Sequence, residues 1–411
     1  MIVNIQDDIL RLHSLNLLDG LLVDKTTKRR IMWATDAYTA LDSRYGRNEE
    51  ITPELITGPN AFVIKTRARK ELEQQSSRTR KHGEVATPLW VCEKMCDYAD
   101  EVWDSRARWQ RYVDWRVLEI TCGEAPFLVS RYDSTTGEAV PVSNRIGLLD
   151  CKLWAVTEHT YTEEDWLNWA FRAFHATYGY EFQGDNVLIA RVNLLMTFRE
   201  YLLDRWDREP TLAEYKKLIT VIDWNIWQMD GLQGCIPYGT PEETHQQFSL
   251  FAAGDQTGEN KQPRCRIKNW LGDRSVEFHS LPIVGGNHAM KFDFVIGNPP
   301  YQEEQVSENA DGSLKNYAPP IYDKFMDEAF KVSEKVELIH PARFLFNAGS
   351  TPKAWNEKML NDEILRCFTM KRTVIKCFHR YRPLLEVAWL LPIVMILRLL
   401  ERLLPLPNFQ R

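Results

Sequence analysis

The sequence predicts an α/β protein: a doubly wound, mainly parallel sheet with a helical N-terminal segment, an insertion and an incomplete C-terminal end. Three observations predict it. First, apolar runs at Val117–Ile120, Tyr178–Tyr180, Phe292–Ile296 and from Val336 are too short for helices and end at turn residues or acids, as buried parallel strands do. Second, helical periodicity separates these runs, at Leu89–Ala99, Val187–Leu195 and Pro319–Phe330, and such alternation builds sheets with right-handed crossovers. Third, Asn298-Pro299-Pro300-Tyr301 follows the run at 292–296 almost without a spacer. Two prolines cannot continue a central strand, so the chain leaves the sheet there. A rigid loop then stands at the carboxyl edge of a strand, where open α/β sheets bind ligands.

Composition sets the class. The chain has 411 residues, 44% hydrophobic and 26% charged, enough for two or three globular domains with a sizeable core. Its net charge of −6 excludes a surface that is basic throughout, so any nucleic-acid contact must come from local patches. Eight cysteines are scattered, with Cys92 and Cys96 the one close pair, which supports neither a zinc site nor a disulfide framework. No metal site is expected. Reduced cysteines and acidic residues at Asp7 and Asp8, with no long apolar core near the N-terminus, imply a cytoplasmic protein without a secretory signal.

Taken in order, residues 1–80 form an N-terminal accessory region. Helical periodicity runs through Ile9, Leu10, Leu12, Leu15, Leu17 and Leu18, and no catalytic pattern is present. Residues 65–81 carry seven basic residues against two acidic ones, a solvated helix face or a segment that contacts phosphates. His82-Gly-Glu-Val-Ala-Thr-Pro88 precedes the helix from Leu89, and its Thr87-Pro88 step suits a helix start. Val117–Leu128 reads as strand, tight turn and helix, with Gly123 permitting close backbone approach. Glu181 ends the strand at 178–180, where an acid commonly takes the hydroxyls of a ribose, while Asp185 suits a capping role at the next helix. Residues 200–262 read as a helix and a loop-rich insertion. Asp255, Glu259 and Lys261 form only a faint nuclease-like pattern, without the separation or the strand that such a site needs.

The loop at 298–301 suits a flipped nucleobase. An amide oxygen and a backbone carbonyl accept from an exocyclic amine, and an adjacent ring stacks on the base. With the blocks upstream of it in this order, the chain resembles the S-adenosylmethionine-dependent amino-methyltransferases. Within them it is most similar to the N6-adenine DNA methyltransferases of restriction–modification systems, of the Eco57I type. The resemblance runs from about residue 20 to 363. It implies a Rossmann-like methyltransferase domain at 81–363, with the insertion at about 200–262. It implies S-adenosylmethionine as cofactor, with Thr87 and Pro88 lining the methionine end and Glu119, Cys122 and Gly123 forming the cofactor turn. Glu181 would take the ribose and Asn269 the adenine, while Asn298, Pro299, Pro300 and Tyr301 would serve the target base. Two departures stand out: Ala125 replaces a usual second glycine, and Asn269 stands where an acid is expected. Double-stranded DNA is the implied partner, together with a restriction or specificity subunit, and no membrane.

Other readings stay open. Asn-Pro-Pro-Tyr also occurs in enzymes that methylate glutamine in translation factors. A bifunctional nuclease–methyltransferase and a non-catalytic remnant or subunit are further alternatives. The tail changes character: residues 364–411 hold nine Lys or Arg against two acids, while the other 363 residues hold 42 against 55. Nothing in the tail alternates or turns as further strands should. A truncated chain ending in non-native sequence is expected there, or else an amphipathic helix that docks a partner.

Overall fold

The computed structural model describes residues 2–70, 86–102, 108–241, 261–281, 290–303, 305–308, 314–341, 343–344, 350–362, 365–369 and 393–398. The segment His82–Val85, most of the basic run, the pair Asp255 and Glu259, and most of the tail lie outside the described residues.

One seven-stranded sheet organises the chain. Its strands are β1 (Val117–Ile120), β2 (Thr177–Glu181), β3 (Ile226–Gln228), β4 (Phe294–Gly297), β5 (Val336–Pro341), β6 (Leu365–Thr369) and β7 (Ile393–Arg398). The order across the sheet is β6-β7-β5-β4-β1-β2-β3. β1 to β5 pair in parallel, and β7 runs antiparallel to both of its neighbours. Strand order reverses at β1, which lies between β2 and β4, and this makes the carboxyl ends of β1 and β4 the topological switch point.

Both faces of the strands are buried, which explains the unbroken apolar runs. Val117, Phe294 and Ile296 point into one core, with Val187, Leu188 and Leu195 of the long helix α5 (Gly184–Trp206). Leu118, Ile120 and Val295 point into the other, with Tyr322, Met326 and Ala329 of α7 (Tyr322–Val332). The first core also takes in α1 (Ile5–Ser14), α2 (Leu89–Val102), α3 (Leu148–His159), α4 (Glu163–His175) and α6 (Leu212–Asn225), and the second takes in α8 (Lys353–Leu360). Among the described residues three small ladders lie outside the main sheet. They pair Thr240–Pro241 with Lys261–Gln262, Arg266–Asn269 with Arg274–Glu277, and Gln305–Glu308 with Leu314–Tyr317. Among the described residues no helix is long and apolar enough to cross a membrane.

Three expectations change. The stretch 200–262 is not wholly an insertion, because α6 and β3 form an edge of the main sheet. β3 is only three residues long and includes Trp227, so its strand character is weak in sequence. Two pieces of the tail join the sheet as β6 and β7, against the expectation that none of it continues the fold. Residues 370–392 separate them in sequence, so the pair is not a short-range one. Finally, residues 2–70 share the core of the sheet rather than forming one of their own: Ile5, Leu21, Trp33 and Ile51 belong to the same cluster as Leu188 and Val192.

Candidate functional site

A cleft of about 340 Å³ opens at the switch point. The segments after β1, β2, β3 and β4 build it, closed on one side by Arg67, Ala86 and Thr87 and on the other by Ile321, Lys324 and Phe325.

After β1 the chain makes a tight turn through three left-handed residues, Thr121 (φ 47°), Gly123 (φ 54°) and Ala125 (φ 63°). A branched residue with φ above zero is uncommon, and strain of this kind collects at functional loops. A Cβ added at Gly123 would meet nothing within 4 Å, so the turn leaves open space for a ligand against the backbone. Ala125 holds the left-handed geometry that explains why glycine is usual there.

Two carboxylates brace this turn. Glu119 is buried, its Oε2 accepts from the Leu128 amide at 3.1 Å, and burial pushes its pKa well up. Glu181 ends β2, where its Oε2 accepts from the Gly123 amide at 2.9 Å and its Oε1 from the Gln183 amide at 3.0 Å. Cys122 is buried against Gly179, and burial pushes its thiol well above the usual range. Glu119, Cys122, Gly123 and Glu181 all line the cleft, as does Thr87.

The loop after β4 supplies the other half. Asn298 and Pro300 line the cleft and Pro299 is buried. Asn298 Nδ2 donates to Thr87 Oγ1 at 3.2 Å, and the Tyr301 hydroxyl donates to Asn298 Oδ1 at 3.0 Å. Tyr301 packs on the main core rather than lining the cleft, and burial pushes its hydroxyl pKa up. Pro88 stands behind Thr87, where its carbonyl accepts from the Val91 amide at 2.9 Å and opens α2.

Asn269 is not brought to the site. It lies in the hairpin at 266–277, its Oδ1 accepts from the Gly272 amide, and its neighbour Trp270 stacks on His175 before the start of β2, at the opposite edge of the sheet. The position after the third strand belongs instead to Met229 and Asp230. Asp230 Oδ1 accepts from the amides of Leu232 (2.9 Å) and Gln233 (3.0 Å), which folds that loop over the cleft. Arg67, Glu124 and Lys324 are further lining residues without an assignment from sequence. Glu124 directly follows Gly123 and could have been noticed; its Oε2 accepts from the Tyr132 hydroxyl at 2.7 Å. Arg67 sits inside a run whose charge reads as solvated, and no local signal marks Lys324. The lining side chains include two basic groups, Arg67 and Lys324, against four acids besides the buried Glu119, namely Glu124, Glu181, Asp230 and Glu303. Such a wall favours a ligand that carries positive charge and hydroxyls.

Residues 175–372 match the model of the Eco57I restriction-modification methylase family. No curated protein matches the chain. Among solved structures, the ATP-dependent Type ISP restriction-modification enzyme LlaBIII bound to DNA aligns with a TM-score of 0.42 at 11% identity, covering 96% of this chain and 25% of that one. The chain therefore spans about a quarter of that enzyme's length. The matched stretch runs from just before β2 through the Asn298–Tyr301 loop to just after β6.

Proposed function

We propose that the protein methylates N6 of adenine in double-stranded DNA, with S-adenosylmethionine as the methyl donor. The observation that carries this reading is the placement of Asn298 and the Gly123–Glu181 turn in one cleft. The residues present fit the cofactor. Open space at Gly123 admits a ligand against the backbone, Glu181 offers acceptor positions for ribose hydroxyls, and the acid-rich wall suits a sulfonium cation. Arg67 and Thr87 would hold the amino-acid end, and Asp230 with Phe182 the adenine end. When bound, the cofactor supplies an electrophilic methyl group.

The rest is done by side chains of this chain. The target adenine is flipped from the duplex, at a cost of a few kcal/mol. Asn298 Oδ1 and the Pro299 carbonyl accept from its amino group, which aims the nitrogen lone pair into the cleft. The Tyr301 ring turns from its packed position to stack on the base. Positioning and exclusion of water then carry the rate, with no covalent intermediate.

The test uses purified protein, labelled S-adenosylmethionine and mixed-sequence duplex DNA. Asn298→Ala should lower methyl transfer by about a hundredfold or more, as loss of one aimed polar group does, while cofactor affinity stays within a few-fold. Glu181→Ala should weaken cofactor binding in calorimetry by about 1–3 kcal/mol, the worth of a charge-assisted bond. Full adenine methylation by Asn298→Ala would refute the reading of the loop.

A further inference from the structure

The hydrogen bond between Asn298 and Thr87 joins residues 211 positions apart in sequence and ties the acceptor loop to the wall of the cofactor half. Thr87 is itself held firmly. It is 5% exposed, and its carbonyl accepts from Ser134 Oγ at 2.7 Å and from Cys92 Sγ at 3.8 Å. We propose that Thr87 is a positioning residue that couples the two halves of the cleft, by fixing which way round the Asn298 amide stands. The inference rests on the reading of the cleft given above.

An amide can turn by half a rotation at little cost unless its partners decide the matter. Both partners here are hydroxyls, Thr87 Oγ1 and Tyr301 Oη, and a hydroxyl can donate or accept. Two arrangements are therefore open. If the Thr87 hydroxyl donates to the amide oxygen, Nδ2 faces the target and repels an amine donor. If the Thr87 proton goes to an acceptor in the cofactor half, Thr87 Oγ1 can only accept from Nδ2, and Oδ1 is turned toward the target. In the structure Nδ2 faces Thr87 Oγ1, the amide orientation of the second arrangement. A ligand carboxylate or hydroxyl in the cofactor half gives the Thr87 proton its destination. Occupancy of that half thus selects the amide orientation that welcomes an exocyclic amine. Hydrogen bonds chained in one direction also polarise one another. By linkage, an amine in the acceptor half strengthens ligand binding in the cofactor half by the same factor.

The probes are S-adenosylhomocysteine and short single-stranded oligo(dA) and oligo(dT), the last lacking an exocyclic amine. Oligonucleotide affinity is read by fluorescence anisotropy, with and without saturating S-adenosylhomocysteine. In the wild-type chain the ligand should tighten oligo(dA) by about fivefold or more and leave oligo(dT) unchanged. Thr87→Val should abolish the enhancement, and Thr87→Ser, which keeps the hydroxyl, should restore it. A thermal melt checks that the variants are folded, and Thr87→Ala replaces the valine variant if that one is not. Enhancement that survives in the folded hydroxyl-free variant overturns the inference. So does a wild-type chain that binds both ligands independently, an outcome that leaves the proposed function intact. A wild-type chain that binds neither overturns both.

Discussion

Gly123 lines the cleft after β1 and Gly184 opens α5 after β2, and a methyl group added at each should fail for a different reason. At Gly123 the backbone is left-handed and the added Cβ points into open space. Ala125, two residues on, already tolerates the same left-handed geometry with a Cβ, so the cost to the fold should be only about 1–2 kcal/mol. The methyl group would instead occupy the space where a ligand meets the backbone. Gly123→Ala should therefore stay folded while binding of S-adenosylmethionine falls at least tenfold, read by calorimetry beside a melting curve. Undiminished binding would move the ligand away from this turn. At Gly184 an added Cβ would lie 1.9 Å from the Met32 carbonyl oxygen, and no side-chain rotation relieves a clash with backbone. Gly184→Ala should be severely destabilised, by more than the roughly 0.5–3 kcal/mol of ordinary substitutions, and a near-normal melting temperature would contradict the close packing of residues 2–70 on α5.

The helix α3 pins the sheet through one buried lysine. Lys152 Nζ donates to the carbonyls of Trp115 (2.5 Å) and Ala176 (3.1 Å), which lie just before β1 and β2. Burial pushes its pKa down to about 7, whereas an unfolded lysine titrates near about 10.4. Between these values the unfolded chain binds the extra proton, so stability rises with pH, by at most about 1.4 kcal/mol per unit. Buried thiols such as Cys122, with pKa values pushed up, act in the opposite sense above about pH 8.5. The window is therefore about pH 7 to 8.5. Urea unfolding of wild type against Lys152→Met should show a wild-type gain of about 1–2 kcal/mol across it that the variant lacks; parallel curves would sink the assignment. The elements that read easily from sequence are those whose signal is local. β1, β2, β4 and β5 are apolar because both of their faces are buried, and the prolines at 299 and 300 mark their own exit from the sheet. Glu181 and Gly123 were legible for the same reason, as strand-end residues. β3 was not, because three residues carry no period, and Asn269 is expected at a cleft position that Asp230 takes instead. β6 and β7 are defined by their pairing with each other and with β5, which no local pattern encodes.

At the scale of the whole molecule, the N-terminal residues are built into the sheet domain by polar contacts that sequence alone does not pair. Arg191 of α5 is fully buried and donates to the carbonyls of Leu21 (2.7 Å), Val23 (2.9 Å) and Ile226 (2.8 Å). The Gln228 side chain at the end of β3 accepts from the Met32 amide at 2.9 Å and donates to the Met32 carbonyl at 2.8 Å, as a neighbouring strand would. Lys70 pairs with Asp185 at 3.1 Å, both buried, and the Tyr38 hydroxyl donates to the same carboxylate at 2.7 Å. Peeling residues 2–70 away would separate the buried Lys70–Asp185 pair and take two carbonyl acceptors from Arg191, and breaking a buried pair in this way costs about 3–5 kcal/mol. That is a large part of the roughly 5–15 kcal/mol that holds a typical domain. Local opening of this region should therefore be nearly as costly as global unfolding. Native-state hydrogen exchange can read it at the amides of Ile31 and Ile51, bonded to the Leu22 and Ile31 carbonyls, against Cys122, bonded to Tyr180. The two sets should open with free energies within about 1 kcal/mol of each other, one cooperative unit. N-terminal amides that open several kcal/mol more easily would instead make residues 2–70 an accessory module that the sheet domain can shed.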